Sequence, residues 1–272
     1  MRARGVAAGL AAAALLAGAP AASAGTNLAA GPDATVAVAW LQGEQVHERT
    51  LGPSGAFGPA QGVSWASRRA FDQAIGADAN GGAVIAWTGD DAGTHAAYAR
   101  GRAPDGALSA VQRVSPAGVS VSRLQLAVAP DGGAVAVWQR PLSGATVVQA
   151  RRRRADGTLG PVHTLAPTTG QADGPAVAVA PDGAATVAWT RALSKDDQFV
   201  ETRTVAPDET VSAIQRLNAA GTVADGPEVT VDGAGTAVFA YRRTPGGAAV
   251  AELRSRSATG ALGARQTVSG AA

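Results

Sequence analysis

An aromatic residue returns at nearly constant intervals along this chain: Trp40, Trp87, Trp138, Trp189 and Tyr241, at spacings of 47, 51, 51 and 52 residues. Each closes a run of small apolar residues, such as 133–137 before Trp138. Seven residues ahead of each aromatic stands Asp33, Asn80, Asp131, Asp182 or Ala234, with glycine next in the last four copies. Asn or Asp followed by Gly between two apolar runs marks a tight hairpin, because these residues tolerate the positive φ that such turns need. A second turn recurs as Ser54-Gly55, Asp105-Gly106, Asp156-Gly157, Asp208-Glu209 and Thr259-Gly260. Five residues before its first member stands an arginine every time: Arg49, Arg100, Arg151, Arg203 and Arg254.

Each copy therefore predicts strand, tight turn, strand, variable connection, strand, tight turn, strand. In the third copy the strands are expected at 124–129, 134–138, 146–152 and 159–165. The first two strands of each copy are nearly all Ala and Val, as expected of strands buried on both faces. A unit of about fifty residues with one aromatic cannot hide these faces alone, but stacked copies can. The expected fold is all-β: a β-propeller of five four-stranded antiparallel blades, at about 26–64, 70–115, 122–167, 174–218 and 226–270. The copies resemble the broad superfamily of β-propeller repeat proteins, including secreted bacterial ones. They lack the Gly-His and Trp-Asp pairs of WD repeats. They also lack the Asp-box of sialidases, since Asp131 adjoins Gly132 and lies too far before Trp138. Five-bladed propellers include both lectins and glycosidases, so blade number does not choose between binding and catalysis.

Residues 1–24 read as a secretory signal peptide, with Arg2 and Arg4, an apolar stretch over 6–17 and a small-residue cleavage site at Ala22-Ser23-Ala24. That apolar stretch is too short to span a bilayer as a helix. A released domain of residues 25–272 is expected, without membrane insertion. Without Arg2 and Arg4 it carries 21 basic and 21 acidic residues. A neutral total argues against nucleic-acid partners. The absence of cysteine excludes disulfides, thiolate metal sites and cysteine nucleophiles.

Candidate binding residues come from the connections expected to vary between copies, because binding usually resides on variable loops of a rigid scaffold. These are Trp65, Arg68 and Asp72 between the first and second copies, Asp90 and Asp91 in the second, Arg140 in the third, Asp196 and Asp197 in the fourth and Arg242 in the fifth. Asp173 and Asp225 are further acidic candidates, and an aromatic beside arginines can stack on a sugar or peptide. The aligned aromatics and arginines read as structural, since regularity across copies is what packing requires. The three histidines lack metal-ligand spacing, so neither metal nor cofactor is expected, and no catalytic constellation is predicted. The expected function is a secreted, non-enzymatic binding or scaffold propeller for a glycan or protein ligand. The alternatives are a propeller-type glycoside hydrolase or lyase, a sialidase-like enzyme and a purely structural envelope protein. Oligomeric state is open.

Overall fold

The computed structural model describes residues 26–269 apart from Asp33, Ala220 and 245–247, so the signal-peptide expectation lies outside the described residues. Every regular element among them is a strand. The first unit comprises β1 (Thr26–Ala30), β2 (Val36–Gln42), β3 (Gln45–Leu51) and β4 (Gln61–Gly62). The second comprises β5 (Ala70–Ala77), β6 (Ala83–Asp91), β7 (Thr94–Arg102) and β8 (Gln112–Arg113). The third comprises β9 (Ser122–Val128), β10 (Ala134–Leu142), β11 (Ala145–Arg153) and β12 (Leu159–Thr164). The fourth comprises β13 (Gln171–Val179), β14 (Ala185–Ser194), β15 (Asp197–Val205) and β16 (Gln215–Arg216). The fifth comprises β17 (Val223–Val231), β18 (Ala237–Thr244), β19 (Val250–Arg256) and β20 (Leu262–Thr267). Within each unit the strands pair antiparallel in chain order. One parallel pairing, Thr146 with Gln171, joins the third unit to the fourth.

The turns explain the regularity. The first turn of each unit is closed by the same backbone bond, as from Ala129 N to Gly133 O at 2.7 Å, and Gly132 takes a φ of 88° within it. The second turn is equally constant, but its fourth copy places Glu209 at a φ of 70° where the other four have glycine. A side chain in that left-handed region costs of order 1 kcal/mol or more.

Two expectations are corrected. In the first four units the connections between second and third strands are not variable loops. Gln42 pairs with Gln45, Asp91 with Thr94, Leu142 with Ala145 and Ser194 with Asp197, each across a two-residue turn. The strands simply run on past the apolar core into polar sequence. The first strand of each unit, in turn, is not buried on both faces: β1 and β9 alternate or are largely open, and Leu28 is 46% exposed. The reason is position. β1 packs on β5, β5 on β9, β9 on β13 and β13 on β17. The ends of all five line one cavity of about 490 Å³, reached by Pro32, Ala79, Pro130, Pro181 and Asp232.

The core lies between units. Trp87, Trp138, Trp189 and Tyr241 each cluster with residues of the preceding unit, as Trp138 does with Val84, Ala86, Ala97 and Ala99. Polar locks reinforce each boundary. The repeat arginine donates through Nε to a carbonyl nine residues on, as Arg151 does to Gly160 O at 2.7 Å. It also reaches back to the preceding unit: Arg100 Nη1 to Val63 O at 3.2 Å, Arg151 to Val114 O at 3.1 Å, Arg203 to Leu165 O at 3.1 Å and Arg254 to Leu217 O at 2.5 Å. A guanidinium fork suits this double use because its donors diverge in a fixed plane.

Candidate functional site

The densest polar–aromatic cluster lies between the first and second units, at the edge opposite the Asn/Asp–Gly turns. The segment after β4 carries Trp65 and Arg68, a backbone bond from Arg68 N to Trp65 O at 3.5 Å turns it, and Ala70 N to Glu44 O at 2.8 Å anchors its far end. The β6–β7 hairpin is longer than the apolar pattern implied, and this length carries Asp90 and Asp91 past the core to meet that segment. Trp65 sets its edge against Tyr98, with centroids 4.8 Å apart, and against Trp87 at 6.2 Å. The Arg68 guanidinium lies over the indole at 5.0 Å.

Asp91 is the hub. One carboxylate oxygen meets Arg68 Nη1 at 3.4 Å and the other meets Arg113 Nη2 at 2.6 Å. Arg68 Nη1 also donates to the Tyr98 hydroxyl at 3.4 Å. Burial first, and then the Asp91 carboxylate, hold the Tyr98 phenol above its usual pKa. Arg113 Nε is buried without a hydrogen-bond partner. Arg68, with its side chain 48% exposed, is the member that faces solvent most openly. Nearby, His95 lies 3.6 Å from Asp90 and packs on Phe71, and the Arg69 guanidinium lies over the same Phe71 ring at 5.0 Å.

Of the sequence candidates, the structure thus joins Trp65, Arg68 and Asp91. Asp72 sits in β5, where its backbone N–H donates to Thr88 Oγ1 at 3.2 Å. The remaining candidates make no hydrogen bond or ion pair to this cluster among the described residues. Arg140 in β10 donates to its neighbour's carbonyl, Pro141 O, at 3.3 Å. Asp196 pairs with Lys195 at 2.6 Å in the turn before β15, which Asp197 opens. Arg242 grips Asp225 with two bonds, of 2.8 and 2.6 Å, and Arg123 lies 3.5 Å from Asp173.

Sequence reasoning missed Tyr98 and Arg113. Tyr98 lies directly across from the repeat aromatic Trp87 in the β6–β7 ladder, and Arg113 across from Tyr98 in the β7–β8 pair. The Tyr98 position is also where the buried carboxylates Glu201 and Glu252 lie, opposite Trp189 and Tyr241. Each is matched by a guanidinium, Glu201 by Arg191 at 3.1 Å and Glu252 by Arg243. No group of three or more His, Asp or Glu residues able to hold a metal ion occurs among the described residues. No helix among them is long and apolar enough to cross a membrane.

No protein-family model matches the chain, and no curated protein matches it. Solved structures do. The BP39L lectin from Burkholderia pseudomallei is 12% identical with a TM-score of 0.62, over 92% of this chain and 71% of that one. A protein of unknown function from Dyadobacter fermentans is 15% identical with a TM-score of 0.54, over 83% of this chain and 74% of that one. A thermostable family-43 glycoside hydrolase is 10% identical with a TM-score of 0.48, over 90% and 92%. Other carbohydrate-cleaving enzymes recur among the similar structures. At these identities the likeness is one of fold: an all-β architecture of the kind seen in the BP39L lectin.

Proposed function

We propose that the chain is a secreted, five-bladed propeller that recognises a glycan, with the Trp65–Arg68–Asp91–Tyr98–Arg113 cluster as its contact site. Cleavage after residue 24 releases residues 25–272, and the five units are its blades. The observation that carries this reading is the cluster itself. Sugars need a flat apolar surface beside fixed donors and acceptors. Trp65, backed by the buried Tyr98, supplies the surface, Arg68 a solvent-facing planar donor and Asp91 a carboxylate whose position two guanidiniums fix. The lectin among the similar structures supports the same ligand class.

A second reading is a glycoside hydrolase or lyase. Carbohydrate-cleaving enzymes are named more often than lectins among the similar structures, so catalysis is carried forward rather than set aside. Retaining and inverting hydrolysis both need a carboxyl that keeps a proton beside a second carboxylate. Asp91, Asp173, Asp225, Glu201 and Glu252 are each in ion-pair contact with arginine, a contact that fixes the carboxylate in place. Asp72, in β5 beside the cluster, is the acid to test.

The test is a glycan array run beside product analysis on soluble arabinan, xylan and galactan. Binding that is lost in both Trp65→Ala and Arg68→Ala, with no product released, supports recognition alone. Product release that Asp72→Asn abolishes while binding persists moves the assignment to the enzyme. A blank array with no product, or binding indifferent to both cluster variants, overturns the site.

A further inference from the structure

The place that Trp65 and Arg68 fill between the first and second units is open between the fourth and fifth. Trp65 and Arg68 stand two and five residues past Val63, whose carbonyl receives Arg100. The same steps past Leu217, whose carbonyl receives Arg254, arrive at Ala219 and Thr222. The outer strands match as well: Arg113 lies across from Tyr98 in the β7–β8 pair, and Thr267 across from Glu252 in the β19–β20 pair. With alanine in the place of the indole and threonine in that of the guanidinium, a cavity of about 350 Å³ is left, lined by Ala219, Thr222, Arg243, Glu252, Arg265 and Thr267.

Both guanidiniums of this cavity have donors to spare. Arg243 donates through Nε to Glu252, and its terminal nitrogens make no hydrogen bond among the described residues. Glu252 is buried and fully used, since its other oxygen accepts from the Tyr241 hydroxyl at 2.7 Å. It fixes Arg243 and leaves the charge of Arg265 unbalanced. Arg265 is exposed and makes no hydrogen bond or ion pair among the described residues. Elsewhere its position is apolar. Eleven residues past the repeat arginine stand Val111, Val162 and Ile214 in the second, third and fourth units, each packed on an apolar cluster. Packing of one unit on the next therefore does not call for an arginine here. Thr267 is exposed at the rim, and its hydroxyl makes no hydrogen bond among the described residues.

We propose that this cavity is a second saccharide site, for a sugar that carries a carboxylate: a uronic acid residue of an acidic glycan. It rests on the reading of the chain as a glycan-binding protein, at a site apart from the Trp65 cluster. A guanidinium pairs with a carboxylate through two parallel hydrogen bonds, and such charge-assisted bonds are the strong ones. Arg265 offers that fork to the carboxylate. The terminal nitrogens of Arg243 and the hydroxyls of Thr222 and Thr267 are left for the oxygens of the sugar ring. The lining has no exposed aromatic, because Tyr241 is sealed behind Glu252, so charge rather than stacking supplies the affinity. A neutral sugar would gain nothing from Arg265.

Calorimetric titration of the full chain with oligogalacturonate and oligoglucuronate tests this, with Arg265→Gln and Ala219→Trp as variants. Arg265→Gln removes a charge that pairs with no described residue, so circular dichroism and Tm should be unchanged. Ala219→Trp refills the cavity as Trp65 does at the first boundary. The expected result is binding of at least one uronate that falls with added salt and weakens about tenfold or more in each variant. Failure of both uronates to bind, or binding indifferent to Arg265→Gln, overturns the proposal. So does uronate binding that Trp65→Ala removes and Arg265→Gln spares, which would move the acidic sugar to the Trp65 cluster. Inorganic sulfate or phosphate that displaces the uronate at equal concentration overturns the sugar assignment and leaves a site for simple anions. The two sites fail separately. A neutral-glycan array blank beside Arg265-dependent uronate binding sinks the Trp65 site and keeps this one, and array binding without any uronate response does the reverse.

Discussion

The boundary between the second and third units and the boundary between the third and fourth occupy the same slot and fill it with different chemistry. At the former, Gln112 Nε2 donates to Gly157 O at 2.7 Å and its oxygen accepts from Arg153 Nε at 2.9 Å, a two-bond lock centred on a neutral amide. At the latter, His163 takes the place of the glutamine, Glu209 that of the glycine and Val205 that of the arginine. His163 Nε2 meets Glu209 Oε2 at 3.0 Å, Arg154 Nη2 meets Glu209 Oε1 at 3.4 Å, and Arg152 donates to Val205 O and Ala206 O at 3.2 Å. The slot is set by backbone geometry while its chemistry changes between copies, and in the charged version Arg152 Nε is left buried without a hydrogen-bond partner. The ionised version carries a penalty that the neutral one avoids, because Glu209 must adopt the left-handed φ of a glycine.

The largest predicted effect tests whether the apolar part of the two boundaries is equivalent beneath these locks. Trp138 and Trp189 are both 0% exposed and both pack on the preceding unit. Trp138→Ala and Trp189→Ala should each cost about 3–5 kcal/mol, the usual range for removing a large aromatic from a core. For a domain of this size that lowers Tm by roughly 10 °C. Chemical denaturation would settle the equality. A gap between the two variants of more than about 2 kcal/mol would show that the polar lock, rather than the indole, sets the strength of the boundary.

An intermediate effect separates charge from strain at Glu209. Glu209→Ala leaves Arg152 and Arg154 without their carboxylate and keeps a side chain at positive φ, and should cost about 1–3 kcal/mol. Glu209→Gly removes the same charge but relieves the backbone, so it should be less damaging by about 1 kcal/mol. Adding His163→Gln to Glu209→Gly installs the amide and the carbonyl that hold the second and third units together. In a double-mutant cycle the pair should recover about 0.5–1.5 kcal/mol. Equal losses for the Ala and Gly variants would mean that the φ of 70° is not a source of strain.

How much of this was legible beforehand follows from what each feature depends on. The repeat, the strands and both series of glycine turns were legible because they are local: Asp131-Gly132 sets a φ whatever surrounds it. The long second and third strands were harder to see. Asp90, Arg140 and Arg191 are polar, yet they continue strands whose inner halves are apolar. The signal lay in Gly93 and Gly144, two residues that needed to be read as hairpin turns rather than as parts of loops. The openness of β1 and β9 was illegible, because Ala and Val at the axis look like Ala and Val in a core. The pairing of Glu209 with His163, 46 residues apart in sequence, crosses a unit boundary, and only the packing of one unit on the next brings it together; Asp91 and Arg113, 22 residues apart, lie on strands β6 and β8 of one unit and meet across β7.

The smallest predicted effect asks whether the two turns that carry the contrasting slots are otherwise the same. Asp156 Oδ1 accepts from Thr158 N and Oγ1, both at 2.8 Å, and Asp208 Oδ1 accepts from Thr210 N at 3.0 Å and Oγ1 at 2.7 Å. The backbone and then the side chain of Thr158 hold the Asp156 pKa below its ordinary value, and the side chain and then the backbone of Thr210 do the same for Asp208. A carboxylate whose folded pKa is depressed contributes stability above its unfolded value, near 3.9, and loses that contribution as the pH falls through the folded value. Asp156→Asn and Asp208→Asn should therefore each lower Tm slightly at neutral pH, with the deficit against wild type shrinking on acidification below about pH 4. Thermal melts from pH 7 downward would check it. A deficit that persists in acid would assign the effect to the geometry of the turn rather than to its charge. A deficit in one variant alone would mean that Glu209 had altered its turn beyond a single dihedral angle.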